Sequence, residues 1–196
     1  MWDQRYGEDG WAYGTDPNDF LVEAAPHVPK GPVLCLAEGE GRNAVFLATC
    51  GYDVTAMDQS KIGLDKAQSL ARFAKVSFRT EVADLADYDL GVETWAGVVS
   101  IWAHVPPPLR RDLHRRVVAS LRPGGAFVLE AYTPDQLKHR TGGPPVAELM
   151  MTLSALRDEL AGLDLVVARE LERDVQEGKY HQGRSAVVQV VGVKPA

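Results

Sequence analysis

Residues 33–44, VLCLAEGEGRNA, run apolar, break into Gly39-Glu40-Gly41 and restart as a helix-like stretch. Glycine lets a chain turn with positive φ and lets a ligand approach the backbone where a Cβ would collide, so this turn is a place to hold a ligand. GEGRNA also satisfies G-x-G-x-x-A, the dinucleotide fingerprint, and a nicotinamide or flavin oxidoreductase is one reading of it. Asp58, which closes VTAMD 17 residues after Gly41, can accept hydrogen bonds from ribose hydroxyls in that enzyme class or in others. A second acid, Asp84 in VADLADYDL, stands where it can meet an exocyclic adenine amine.

Other polar and aromatic residues are candidates for the chemistry itself. His104, in SIWAHVPP, either contacts a bound ligand or acceptor or is a loop histidine bonded to the backbone. Trp102 beside it reads as core or as a cofactor contact. Trp11 and Tyr13 lie in an N-terminal segment that either folds over the ligand and excludes water or packs on the rest of the chain. Tyr180, His181 and Arg184, in the polar KYHQGR, either reach the pocket from its far side or mark an exposed hairpin tip. Arg184 would suit an anionic acceptor. His104, His181 and Tyr13 are the candidate catalytic groups, and no histidine is backed by an acid at a recognisable spacing. Cys35 and Cys50 fall in different elements without zinc-ligand spacing, so neither a metal site nor a disulfide is expected.

The elements that must position these residues alternate. Short β-like runs at 32–36, 53–57, 76–80, 97–101 and 126–132 are separated by helical patterns at 42–50, 61–74 and 108–121. Strand and helix in alternation predict a parallel sheet covered on both faces. A further helix at 147–161 leads to LDLVVARELE and, after the polar RDVQEGKYHQGRS, to AVVQVVGV. Two strands with no helix between them pair as neighbours only if antiparallel, which predicts a terminal antiparallel hairpin. Open parallel sheets bind ligands at the carboxyl ends of their strands, and the glycine turn follows the first strand directly. Met150 and Met151 read as core filling.

The whole chain bounds these readings. At 196 residues, 45% hydrophobic and 24% charged, it predicts one α/β domain: a cap segment at 1–30, a core at 31–132, and a loop, helix and hairpin at 133–196. A net charge of -6 argues against a nucleic-acid partner. The basic RRDLHRR sits on a helix with its own apolar face and reads as a solvated surface. Neither a membrane span nor a signal peptide is visible, and the sparse cysteines suit the reducing cytoplasm.

At these residues the chain resembles the class I S-adenosylmethionine-dependent methyltransferases. VLCLAEGEGRNA is similar to their glycine-rich first motif, VTAMD to the acidic end of strand two, VADL to the adenine-side motif and LRPGGAFVLE to the turn before strand five. WDQRYGEDGWAYGTDPNDFL and YHQGRSAVVQVV look most like small bacterial enzymes related to tellurite-resistance and thiopurine methyltransferases. The resemblance implies a Rossmann-like fold: a mainly parallel seven-stranded sheet, helices on both faces and a C-terminal antiparallel hairpin. It implies S-adenosyl-L-methionine as cofactor, held by Ala37, Glu38, Gly39, Gly41, Arg42, Asn43, Asp58, Gln59, Ser60, Asp84, Leu85 and Trp102. It also implies a small-molecule methyl acceptor, with a soft sulfur, selenium or tellurium nucleophile as the candidate; the chain itself is expected to be a monomer or homodimer. Aromatic faces such as those of Trp11 and Tyr13 suit a sulfonium.

Two departures stand in the first motif. The family usually has an acid where Cys35 stands and a glycine where Ala37 stands. Glu38 is the nearest replacement for the acid that attracts the cofactor's ammonium group, and a salt bridge with Arg42 is its alternative. A protein that binds the cofactor without turnover is a third reading beside the methyltransferase and the oxidoreductase.

Overall fold

A computed structural model describes residues 2–196; residue 1 of the expected cap segment lies outside the described residues. Seven strands form one sheet: β1 (Pro32–Leu36), β2 (Asp53–Asp58), β3 (Arg79–Val82), β4 (Trp95–Ile101), β5 (Leu121–Tyr132), β6 (Asp164–Glu177) and β7 (His181–Val193). Their order is β3-β2-β1-β4-β5-β7-β6. The first five run parallel and β7 is antiparallel to both β5 and β6, as the missing crossover helix requires. The helices are α1 (Trp2–Tyr6), α2 (Asp19–Ala24), α3 (Arg42–Thr49), α4 (Lys61–Ala74), α5 (Pro107–Ser120) and α6 (Leu153–Glu159).

Strand side chains alternate between faces, so one apolar run feeds two cores. Val33, Cys35, Val54, Ala56 and Val99 pack with Phe20, Leu47 and Leu64 of α2, α3 and α4. Leu34, Leu36, Met57 and Val98 pack on the opposite face with Leu113, Val117 and Leu156 of α5 and α6. Local capping fixes where helices begin. The Asn18, Ser60 and Thr152 side chains accept from Leu21, Gly63 and Ala155 N–H at the starts of α2, α4 and α6.

The structure moves several expected boundaries. β3 begins at Arg79 rather than at 76, and the helix expected at 108–121 runs from Pro107 to Ser120. The helix expected over 147–161 is a 3-10 turn at Ala147–Leu149 followed by α6. Met151 N–H donates to Tyr132 O at 2.9 Å, which pulls the chain out of helix between the two. The stretch expected as a polar connection is mostly strand. β6 and β7 pair all the way from Asp164↔Val193 to Glu177↔His181, leaving only Gly178–Tyr180 as the turn. The polar residues that disguised β6 are the exposed face of an edge strand, where charges discourage further pairing. Among the described residues, no helix is long and apolar enough to cross a membrane and no cluster of three metal-ligating side chains forms.

Candidate active site

A cavity of about 580 Å³ opens at the carboxyl ends of β1 to β4, within the range of small-molecule sites. Ala37, Glu38, Asp58, Gln59, Asp84 and Leu85 line its strand side. The β1–α3 turn is left-handed at Ala37 (φ 50°), Gly39 (φ 62°) and Gly41 (φ 90°). Ala37 thus holds a backbone conformation that suits the glycine of the family pattern. The turn is pinned by Asp58, whose two carboxylate oxygens accept from Gly39 N–H at 2.9 Å and Ser60 N–H at 2.8 Å.

Gly41 has a packing reason of its own. A Cβ there would stand 2.5 Å from the Ala67 Cβ of α4, so the glycine lets α3 and α4 close on each other. Gly41→Val is therefore expected to destabilise the fold, by about 1–3 kcal/mol for overpacking and about 1–2 kcal/mol for the left-handed backbone. A lowered urea midpoint shows it; a variant with native stability and lost ligand binding restores the ligand-approach reading.

Glu38 does not pair with Arg42. Its Oε1 accepts from Ala44 N–H at 2.8 Å at the start of α3, and burial pushes the carboxyl up to about 7. Arg42 instead bonds Glu177 Oε2 at 2.6 Å and Asp16 O at 3.2 Å. Asn43 Oδ1 accepts from Asn18 N–H at 3.0 Å. Arg42 and Asn43 thus line the cavity while tying down the N-terminal segment. The Ser60 hydroxyl bonds Asp3, which anchors α1 on the same edge. Asp84 accepts from Ala86 N–H at 2.9 Å and is exposed beside the cavity.

The three histidine and aromatic candidates near β4 differ in what they have left to offer. His104 lines the cavity, but Nδ1–H donates to Trp102 O at 3.0 Å and Nε2 accepts from Tyr132 N–H at 3.0 Å. Burial pushes this imidazole down to about 4, so it is neutral with both nitrogens spent on backbone. Trp102 is left-handed (φ 60°), stacks on Tyr132 at 4.3 Å and donates Nε1–H to Glu177 Oε2 at 2.6 Å. His181 is the third. It lines the cavity with Nδ1 3.7 Å from Glu177 Oε2 and without a hydrogen-bond partner.

Glu177 is thus the acid behind a histidine that no spacing reveals. Burial works against its charge, yet His181 and Arg42 outweigh that and hold its carboxyl down to about 2. Burial in turn pushes His181 below its ordinary value, with Glu177 opposing, so the imidazole is neutral near pH 7.

The N-terminal segment closes the cavity. Tyr13 lines it, 4.7 Å ring to ring from His181, together with Trp2, Arg5 and Tyr6, none of which the sequence singled out as a site residue. Glu40, the middle residue of the glycine turn, accepts from Ala12 N–H at 2.8 Å and from Lys66 at 2.9 Å, and so fastens the segment. Trp11 lies outside the cavity lining, over the Lys66 ammonium at 5.8 Å. Tyr180 reaches the cavity mouth, its hydroxyl on Glu8 at 3.0 Å. Arg184 does not: it bonds Glu172 at 3.0 Å, because its strand position is one step out of phase with His181. Gly142 to Pro145 line the cavity beside it.

The charges decide between ligand classes. Asp58 and Asp84 face the cavity with no cationic partner among the described residues, and the α3 N-terminus, where a dinucleotide's pyrophosphate would sit, already receives the Glu38 carboxyl. A polyanion is repelled there. A ligand with ribose hydroxyls, an ammonium and a sulfonium meets acceptors and negative charge, so the residues present fit S-adenosylmethionine.

Comparison with known proteins agrees. A family model described as a methyltransferase domain matches residues 33–125. Hemagglutinin 1 of Eikenella corrodens is 30% identical over 119 residues, 57% of this chain and 37% of that protein, so the chain spans little more than a third of that curated relative. TehB from Haemophilus influenzae superposes with a TM-score of 0.74 at 16% identity, covering 98% of this chain and 65% of the other. A protein described by the conversion of a disulfide bond into a thioacetal group in echinomycin biosynthesis gives 0.78 at 17%, covering 98% and 88%. A Methanosarcina mazei S-adenosylmethionine-dependent methyltransferase gives 0.73 at 16%, covering 92% and 99%. The chain is thus similar to a methyltransferase domain over residues 33–125 and shares its seven-stranded fold with these proteins, one of them an S-adenosylmethionine-dependent methyltransferase.

Proposed function

We propose that the chain methylates a small-molecule soft nucleophile, a thiol or selenol, with His181 removing the acceptor's proton. The observation that carries this reading is the Glu177–His181 pair at the cavity wall. Nδ1 faces Glu177 across 3.7 Å, and closing that gap when the acceptor binds would hold the proton on Nδ1 and leave Nε2 to accept. The S–H proton passes to Nε2, and the buried carboxylate stabilises the resulting imidazolium. A thiol of ordinary pKa about 8.5 lies nearer to an imidazole than a phenol near 10 does, which favours the soft acceptor. Among the fold neighbours, the echinomycin protein is described by chemistry on sulfur.

Bound S-adenosylmethionine supplies an activated methyl on a sulfonium, which needs no covalent nucleophile from the protein. Asp58 would hold the ribose, Asp84 the adenine amine and Glu38 the ammonium, with Gln59, Leu85 and Trp102 around them. A cation beside Glu38 favours its ionised form, offsetting burial. Tyr13 and the N-terminal segment exclude water over the acceptor. The strands of the sheet draw on residues 32–193, which supports treating 1–196 as one domain with its cap at 1–30. The absence of paired cysteines among the described residues suits a cytoplasmic protein.

Calorimetry with S-adenosylhomocysteine and with NAD, followed by transfer of labelled methyl to matched thiols, selenols, phenols and amines, tests this. S-adenosylhomocysteine should bind, NAD should not, and thiols or selenols should be labelled first. Preferential labelling of a phenol or amine sinks the soft-nucleophile reading; binding without any transfer establishes the non-catalytic alternative.

A further inference from the structure

Arg5 is a guanidinium at the cavity that pairs with no carboxylate among the described residues. Its Nη1 donates to the Tyr13 hydroxyl at 2.8 Å, and the charged carbon stands 4.5 Å from the Tyr180 ring centroid and 5.3 Å from that of Trp2. The ionisable groups that act on its charge are the phenols of Tyr13, Tyr180 and Tyr6. Two rings thus hold the planar fork in place while its remaining N–H donors go unused within the chain.

The other cationic candidates are spent. Arg42, which also lines the cavity, is neutralised by Glu177, and Arg184 bonds Glu172 away from it. The cavity is therefore polarised. Carboxylates occupy the strand side, where the cofactor's cationic groups belong, and one unpaired cation occupies the lid side beside Tyr13 and His181. A neutral acceptor would leave that cation unused, whereas an acid group would meet it as a charge-assisted fork.

On the methyltransferase reading above, we propose that Arg5 is the subsite for an acid group on the acceptor, so that the substrate is a small thiol or selenol bearing a carboxylate. The carboxylate on Arg5 fixes one end of the molecule and leaves the nucleophile for the His181 side of the cavity.

The test compares methylation of mercaptopropionate and mercaptopropionamide by the intact chain, Arg5→Gln and Arg5→Lys. The intact chain should favour the acid by about 10- to 100-fold in kcat/KM, the span of a charge-assisted hydrogen bond. Arg5→Gln should remove that preference through KM, Arg5→Lys should restore part of it, and added salt should weaken it. Acid and amide used equally by the intact chain, or falling together in Arg5→Gln, would show that Arg5 merely clips α1 to the hairpin turn. Titration of methylthiopropionate and its amide, with and without S-adenosylhomocysteine, reads the same preference without turnover. Equal affinity for the two overturns the subsite. Loss of S-adenosylhomocysteine binding or of all transfer speaks instead to the methyltransferase reading.

Discussion

His181→Asn should lower kcat/KM for a thiol acceptor by about 10²- to 10⁴-fold, the usual contribution of a positioned general base, and leave S-adenosylhomocysteine affinity unchanged. The size follows from the lack of a substitute. His104 has no free nitrogen, and the phenol of Tyr13 is pushed above its ordinary value by burial despite its bond from Arg5. The pH profile carries the sign. Burial pushes the His181 pKa below about 6.5, so the ring is a base at neutral pH and loses that capacity only as pH falls through the depressed value. The rate for the intact chain should be flat near neutrality and decline on the acid side, and His181→Asn should erase that decline. A variant with full activity and the same acid limb would remove His181 from the reaction.

The parts of this site that were legible in sequence are local. Asp58 and Gly39 meet because a strand end and the next turn lie side by side in any parallel α/β sheet, and the order of apolar runs is enough to predict that. The Glu177–His181 pair is illegible for a geometric reason. Four residues apart, the two read as loop neighbours, and only the short Gly178–Tyr180 turn and the hairpin register set them opposite each other. Arg184 was misplaced by the same ignorance of register: a strand alternates faces, so one step of phase separates a cavity position from solvent. Arg5 lay hidden because its meaning comes from two aromatic rings 3 positions before it and 175 after it in the chain. Gly41 shows the converse, a residue singled out for a ligand whose contact with Ala67 gives it a role in helix packing that the sequence does not show.

Glu130→Ala should cost about 3–5 kcal/mol of stability, the range for breaking a buried ion pair by removing one partner. Glu130 is fully buried on β5 and accepts from Arg173 at 2.9 and 2.8 Å, from Gln189 at 2.6 Å and from Asn18 at 2.5 Å. One carboxylate therefore joins the central sheet, both hairpin strands and the cap of α2. Its removal takes an acceptor from Arg173, Gln189 and Asn18; Asn18 keeps Glu177 Oε1 at 2.8 Å, and Arg173 keeps Asp19 at 3.1 Å, Asp174 O at 3.3 Å and Glu177 at 3.6 Å. That last contact links stability to chemistry. A guanidinium released toward Glu177 shields the carboxylate that supports imidazolium at His181, so activity of the folded fraction should fall as well. Urea unfolding followed by circular dichroism measures the first effect, and kcat/KM well below the midpoint measures the second. The double variant Glu130→Leu/Arg173→Met separates pair from packing: it removes both charges together and should recover much of the lost stability. If Glu130→Ala unfolds at the native midpoint, the cluster does not hold the hairpin to the sheet; if the double variant is worse than the single one, the ion pair itself stabilises the fold.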